Sequence, residues 1–344
     1  MLNHRFRRRG ATTVEALVVT GMIALFCAVM VPAIQSSRQN ARLNQCKDRL
    51  KQIGLALHNY HETFATFPPG FVMGGNDVYH GWSWSLFIVP FIDSNPFYNR
   101  IQFQNGLQSE YLRRELHPHW ALFRCPSDGG SEVVSSVAIV TSPVVDWTVT
   151  PASVHVMKTF ARSNFLGSAG YLHDYAGGIE AGDPATSTST DVNVNKGSLG
   201  TPATKYSLFH EYVDQENFGG VFGQNSRVRI SDIWDGTSNT MMVGERYTPR
   251  ANSDGQQVIG DGGWLGVPDP TTAAGLAMAL GDTSIDIKLN IDGRPTTGFG
   301  SSHYGGANLL FCDGAVRTVG AKIDPRMYRG LSGINDGLPK SCGF

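Results

Sequence analysis

The chain has 344 residues, 41% of them apolar, with 28 basic residues against 29 acidic ones. That supplies a core for one large domain or two small ones, and its near-neutral balance argues against a nucleic-acid partner, which needs a concentrated basic face. The 40 glycines and 17 prolines point to a body rich in turns, loops and β-structure.

The chain starts with a basic decapeptide, MLNHRFRRRG, which holds Arg5, Arg7, Arg8 and Arg9 and no acid. From Ala11 to Ile34 follow 24 residues with a single charge, Glu15. About 20 apolar residues cross a bilayer core, and arginines ahead of the stretch keep its N-terminus in the cytoplasm. A secretory signal would have a shorter apolar run ending at a small-residue cut site. A twin-arginine signal requires consensus residues that Gly10-Ala11-Thr12-Thr13 does not supply. A plain anchor accounts for the length but leaves Glu15 unexplained, because a carboxylate in hydrocarbon costs a few kcal/mol unless it has a partner.

Basic residues, then Gly10, then Glu15 five places on, resemble the type III signal of type IV pilins and type II secretion pseudopilins. The resemblance implies a cut between Gly10 and Ala11 by a prepilin peptidase and methylation of the new amine. It also implies a helix that stays in the membrane and later joins like subunits or other pilins in a filament core. The amine of one subunit can neutralise Glu15 of its neighbour within the apolar bundle. Ala11 stands where the family usually has phenylalanine.

Pro32 removes one backbone hydrogen bond and predicts a local kink or loosening. Beyond it, Leu43, Cys46, Leu50, Ile53, Leu57 and Tyr60 recur at helical spacing, and Lys47, Asp48, Arg49 and Lys51 lie off that stripe. The pattern predicts a helix with one face packed on a globular body, ended by Phe67-Pro68-Pro69-Gly70. Residues 87–92 form a short apolar element. From residue 131, VVSSVAIVTSPVV and VHVMKTFARSNF read as strands. The polar stretch GDPATSTSTDVNVNKGS reads as an exposed loop. Asp191, Asn193 and Asn195 there imitate a calcium loop, but Lys196 and Pro202 stand where glycine and glutamate are needed. Met241-Met242-Val243 reads as a strand after an Asp235-Gly236 turn. Near the end, Asn308–Cys312 and Ala315–Val319 flank Asp313-Gly314, the signal for a two-residue hairpin turn.

Taken together, KQIGLALHNYH, FPPG, FRCPSD, DGTSNTMMVGER and a histidine separated by nine residues from an Asp-Gly step resemble the DUF1559 family of prepilin-type proteins, expanded in planctomycetes. His303, Asp313 and Gly314 are the matching residues of its H-X9-DG motif. The resemblance covers nearly the whole chain, least well across residues 131–205, and brings no established biochemical role.

His303, Cys312 and Asp313, with Asp261, Asp286 and Asp292, invite a metal or catalytic reading. A structural one competes: Asp-Gly suits the backbone of a type I′ turn, and His303 can hydrogen-bond loop backbone beside it. The seven Asp-Gly steps fit a turn-rich body. No nucleophile elbow, zinc-protease helix, phosphate loop or dinucleotide fingerprint occurs. The expectation is therefore no enzyme, no catalytic residue, no metal and no cofactor.

Five cysteines without a CxxC pair argue against a zinc ribbon. If the body is exported, Cys46, Cys125, Cys312 and Cys342 allow one or two disulfides, with buried thiols as the alternative. Trp82, Trp84, Trp120, Trp147, Trp234 and Trp264 could stack on a glycan if exposed, or fill the core.

The expected architecture is α+β and pilin-like. Residues 1–10 are a leader, 11–34 a transmembrane helix, 35–66 its amphipathic continuation and 67–344 a β-rich body. The expected location is the inner membrane, crossed once, with the N-terminus cytoplasmic and the body in the periplasm or at the cell surface. The alternative function is a membrane-tethered module that captures polysaccharide or another ligand.

Overall fold

The computed structural model describes residues 12–74, 77–92, 95–101, 103, 120–140, 155–170, 219–247, 262–267, 276–283, 289 and 298–337. Gly10, Ala11, Trp147, Asp191, Asn193, Asn195, Asp261, Asp286, Asp292 and Cys342 lie outside them. The fold class is the expected one, a long N-terminal helix followed by a β-rich body with many loops.

Helix α1 runs from Thr13 to Phe64, 52 residues or about 78 Å at 1.5 Å per residue. A capping box starts it. The Thr12 side chain accepts from the Glu15 N–H at 3.3 Å, and a Glu15 carboxylate oxygen accepts from the Thr12 N–H at 2.9 Å. The helix continues through Pro32, so the proline does not end it. It closes at a left-handed Ala65 (φ 61°), ahead of Phe67-Pro68-Pro69-Gly70.

Residues 12–42 are exposed, and residues 13–34, about 33 Å of helix, are long and apolar enough to cross a membrane. Burial begins at Cys46 and takes in Leu50, Ile53, Gly54, Ala56 and Leu57. Of the stripe set by helical spacing, Cys46, Leu50, Ile53 and Leu57 are buried, and Leu43 and Tyr60 at its ends are half-buried. Each leucine or isoleucine withdrawn from water here contributes roughly 1.5–3 kcal/mol to docking.

Among the described residues the body holds three sheets. In the first, β1 (Phe71–Gly74) pairs with β2 (Asp77–Ser83). The second is a separate antiparallel ladder of β3 (Val133–Val140) and β4 (His155–Ala161), in the two stretches expected to be strands. The third, five-stranded sheet contains β5 (Phe165–Ser168) and β6 (Met241–Glu245). A short β7 (Gly266–Val267) completes the first sheet on the side of β2. The third sheet adds β8 (Leu280–Gly281), β9 (Gly306–Phe311) and β10 (Val316–Gly320), in the order β10-β9-β6-β5-β8. Its pairs are antiparallel except β5 with β8.

Strand alternation assigns the two faces of β9. Leu310 turns toward the α1 side, and Gly54 lets the helix approach it, since a Cβ there would sit 2.9 Å from a Leu310 methyl. Ala307, Leu309 and Phe311 turn the other way and pack with Tyr328 and Leu331 around the short helix Pro325–Gly330. The apolar element expected at residues 87–92 lies in a helical turn (Trp84–Phe87) followed by a 3-10 turn (Val89–Phe91). Trp84 there stacks on Phe222, and Trp120 and Phe123 each stack on Trp264.

The β9–β10 hairpin departs from expectation. Among the described residues Gly314 has positive φ (82°) and Asp313 does not, whereas a type I′ turn needs it at both central positions. The Gly314 N–H donates to the Phe311 carbonyl at 2.9 Å, and Phe311 pairs with Ala315. The connection is thus a three-residue loop, a tight turn closed by a left-handed glycine. The reason lies in its docking. The Cys312 and Asp313 N–H groups donate to the carbonyls of Thr240 (2.9 Å) and Thr237 (3.1 Å), which hold the tip in this shape.

Candidate functional site

Four side chains from distant parts of the sequence converge where α1 meets the body: Cys46, Cys125, Glu245 and His303. Their ligand-type atoms all lie within 4.8 Å of one another. Cys46 comes from α1, Cys125 from the turn after a 3-10 segment (Ala121–Phe123), Glu245 from the last residue of β6 and His303 from the loop before β9. The Cys46 thiol donates to Glu245 Oε1. His303 Nε2 lies 3.4 Å from Cys125 Sγ and 3.5 Å from the same Glu245 oxygen.

The backbone explains why these side chains meet. Pairing of β6 with β9 brings Glu245 opposite Asn308, whose N–H donates to Glu245 Oε2 at 2.8 Å. That fixes the carboxylate with Oε1 facing the other three groups. Cys125 is held through its N–H, which donates to Asn164 Oδ1 at 2.9 Å, and the Asn164 amide also donates to the Arg246 carbonyl at 3.0 Å. One buried asparagine therefore ties the Cys125 turn to the end of β6. Arg49 on α1 donates to the Arg124 carbonyl, so the helix grips the same turn one helical step from Cys46. Arg246, next to Glu245, fixes the loop ahead of His303 through two donations to the Gly298 carbonyl, at 3.1 and 2.9 Å.

Enclosure sets the charge state. Cys46, Cys125 and Glu245 are buried, and the His303 side chain is 7% exposed. A hydrogen bond to Cys125, burial and the Glu245 charge push the Cys46 thiol up. The Cys46 hydrogen bond and the His303 contact outweigh burial and bring Cys125 down to about 6. Burial disfavours a charged His303, but hydrogen bonds to Cys125 and Glu245 and their negative charge raise it to about 9. Burial likewise works against the Glu245 carboxylate, yet donation from His303, Cys46 and the Asn308 N–H holds it below its ordinary value. The directions of these shifts favour a Cys125 thiolate, a Glu245 carboxylate and a His303 imidazolium around a protonated Cys46. Two soft sulfurs, an imidazole and a carboxylate can hold a transition-series cation, and the two sulfurs could also be oxidised to a disulfide.

Only part of the site expected from sequence takes part. His303 enters it through its side chain rather than bonding loop backbone; its own N–H donates to Ser301 Oγ at 3.1 Å. Asp313 does not join His303. One of its oxygens accepts from the Ala315 N–H at 2.9 Å, and the other lies 3.3 Å from Arg317 Nη2. Gly314 shapes the hairpin tip beside His58 of α1, whose Nε2 lies 3.8 Å from where a Cβ on the glycine would be. The H-X9-DG motif thus splits into a histidine that reaches the cluster and a turn that docks a hairpin.

Cys46, Cys125 and Cys312 are buried thiols, and no disulfide joins the described cysteines. Trp82, Trp84 and Trp264 lie in the core and Trp120 packs against it, while Trp234 is exposed. A tryptophan platform for a glycan is therefore not formed by the first four.

The fold and this cluster define a protein with an apolar N-terminal helix whose second half is packed on a β-rich body. The chain belongs to the family described as "protein of unknown function (DUF1559)", whose model matches residues 35–326. No curated protein and no solved structure matches it.

Proposed function

We propose that the chain is a non-enzymatic, prepilin-type structural subunit. A prepilin peptidase cuts it after Gly10, residues 11–34 hold it in the inner membrane with the N-terminus cytoplasmic, and the exported body joins like subunits through α1. The observation that supports this best is the division of α1. One continuous helix has an apolar first part with no packing partner among the described residues and a second part committed to the body. Such a helix suits a subunit whose first partner is lipid and whose second is the same helix of a neighbour.

The capping box adds to the reading. The helix starts two residues after the junction where the mature chain would begin, and Glu15 already accepts from the Thr12 N–H. A cut after Gly10 places a cationic amine on Ala11, next in sequence to Thr12. Glu15 then has a local partner while the subunit waits in the membrane, and can exchange it for a neighbour's amine on assembly.

Mass spectrometry of the protein purified from membranes tests the processing step. The expected N-terminus is Ala11, methylated. An intact Met1 in cells with an active prepilin peptidase overturns it. Glu15→Ala is expected to be cut normally and to lower filament yield, and unimpaired filaments would remove Glu15 from assembly.

A further inference from the structure

We propose that Cys46, Cys125, Glu245 and His303 are the ligands of a structural, tetrahedral divalent cation, best matched by Zn2+, that fastens α1 to the body. The donor set argues for the metal. Hard cations such as Ca2+ and Mg2+ take oxygen ligands, whereas two thiols and an imidazole select a late first-row ion, and a carboxylate as the fourth donor suits Zn2+ better than Cu(I). The spacing argues for the geometry. Zinc with sulfur at about 2.3 Å and nitrogen or oxygen at about 2.0–2.1 Å sets S–N near about 3.5 Å and N–O near about 3.3 Å. Two separations here match, 3.4 Å for Cys125 Sγ to His303 Nε2 and 3.5 Å for His303 Nε2 to Glu245 Oε1, while the Cys46 thiol sits closer to Glu245 Oε1 than a shared ion allows, so that pair parts when the ion enters.

The surroundings are those of a closed site. Four protein donors converge with three of the residues buried, which fits a structural metal rather than one that must keep a position for water or substrate. The outer contacts that orient metal ligands are in place. Glu245 Oε2 is held by the Asn308 N–H so that Oε1 points inward, and the Cys125 backbone is held by Asn164. Electrostatics agrees. With both sulfurs as thiolates and the histidine neutral, the ligands carry three negative charges in a buried space, of which a divalent cation cancels two. A disulfide between Cys46 and Cys125 would use the sulfurs but would leave the aim of Glu245 Oε1 and His303 Nε2 at the same point without a purpose.

Such a site would tie a turn of α1 to three segments of the body: the Cys125 turn, the end of β6 and the loop before β9. Residues 199 positions apart would be joined through one ion, and any pull on the membrane half of α1 would pass into the β-sheet. The site stands whether or not the chain enters a filament, and its test needs no filament.

The full-length chain, purified in detergent under reducing conditions without chelator, is expected to carry about one zinc per molecule by elemental analysis. After zinc removal, Co2+ is expected to bind with intense visible bands of a tetrahedral ion and a thiolate charge-transfer band in the near ultraviolet. Cys125→Ser and His303→Ala are each expected to cut metal content at least about tenfold, and Cys312→Ser, a buried thiol outside the group, to leave it unchanged. Because the ligand variants could misfold, the Co2+ spectrum of the unaltered chain decides the matter. Octahedral Co2+, no Co2+ uptake, or a quantitative Cys46–Cys125 disulfide in protein alkylated directly from membranes would each overturn the proposal.

Discussion

The two halves of α1 share one backbone and one set of helix hydrogen bonds, yet they live by different rules. Residues 12–42 are exposed, and from Ala16 to Ile34 the helix is apolar on nearly every side, so there one apolar residue of good helix propensity serves nearly as well as another. Residues 43–64 present a single stripe to the body, and each place on it meets a particular neighbour. Helix formation alone therefore specifies little. The specific information sits where the helix touches the sheet and at its two ends.

The largest effect is expected from truncating the stripe. Leu50→Ala or Ile53→Ala leaves a cavity under a fully buried side chain and should destabilise the body by about 2–5 kcal/mol. Leu25→Ala and Val29→Ala, on the exposed half, should change it by no more than about 0.5 kcal/mol. Denaturant melts in detergent, followed by near-ultraviolet circular dichroism of the packed tryptophans, measure both. Equal losses from the two pairs would erase the distinction between the halves.

A finer test uses the two glycines inside α1. A Cβ on Gly54 would meet Leu310, while one on Gly21 would have nothing within 4 Å. Gly54→Val should overpack the helix–sheet contact and cost about 1–3 kcal/mol in the same melts. Gly21→Val should leave body stability unaltered. If Gly54→Val is equally silent, the helix sits farther from β9 than described.

The same division explains what could be read from the sequence. The stripe was legible because helix periodicity is local, and four of its places, Cys46, Leu50, Ile53 and Leu57, are core residues. The strands in 133–140 and 155–161 and the hairpin near the C-terminus were legible for the same reason. The hairpin's turn type was not, because contacts with Thr237 and Thr240 select it rather than the Asp-Gly pair alone. The cysteine–glutamate–histidine cluster was not legible either. Spacing rules find ligands a few residues apart, whereas Cys125 and His303 are 178 residues apart and meet only once the sheet is built. Cys46 looked like a stripe residue, and it is one, but its sulfur faces Glu245 instead of a hydrocarbon side chain. The available signal was that FRCPSD, MMVGER and the H-X9-DG histidine each supply one residue of the cluster. Nothing in their separations says that the three meet.

The smallest effect is expected at the inner end of α1. Ala65 caps the helix with φ 61°, and its N–H donates to the His61 carbonyl at 2.7 Å. An L-residue with a Cβ is strained there by roughly 1–2 kcal/mol, and glycine is the usual occupant of such a cap. Ala65→Gly should relieve that strain. It also loosens the unfolded chain, which offsets about 0.4–1 kcal/mol of the gain. The net expectation is stabilisation by about 0.5–1 kcal/mol, read as a small rise in the denaturation midpoint with an unchanged slope. The sign carries the information. Destabilisation would mean that the alanine methyl packs usefully against the body, and that the inner end of α1 is held by contacts rather than by its cap.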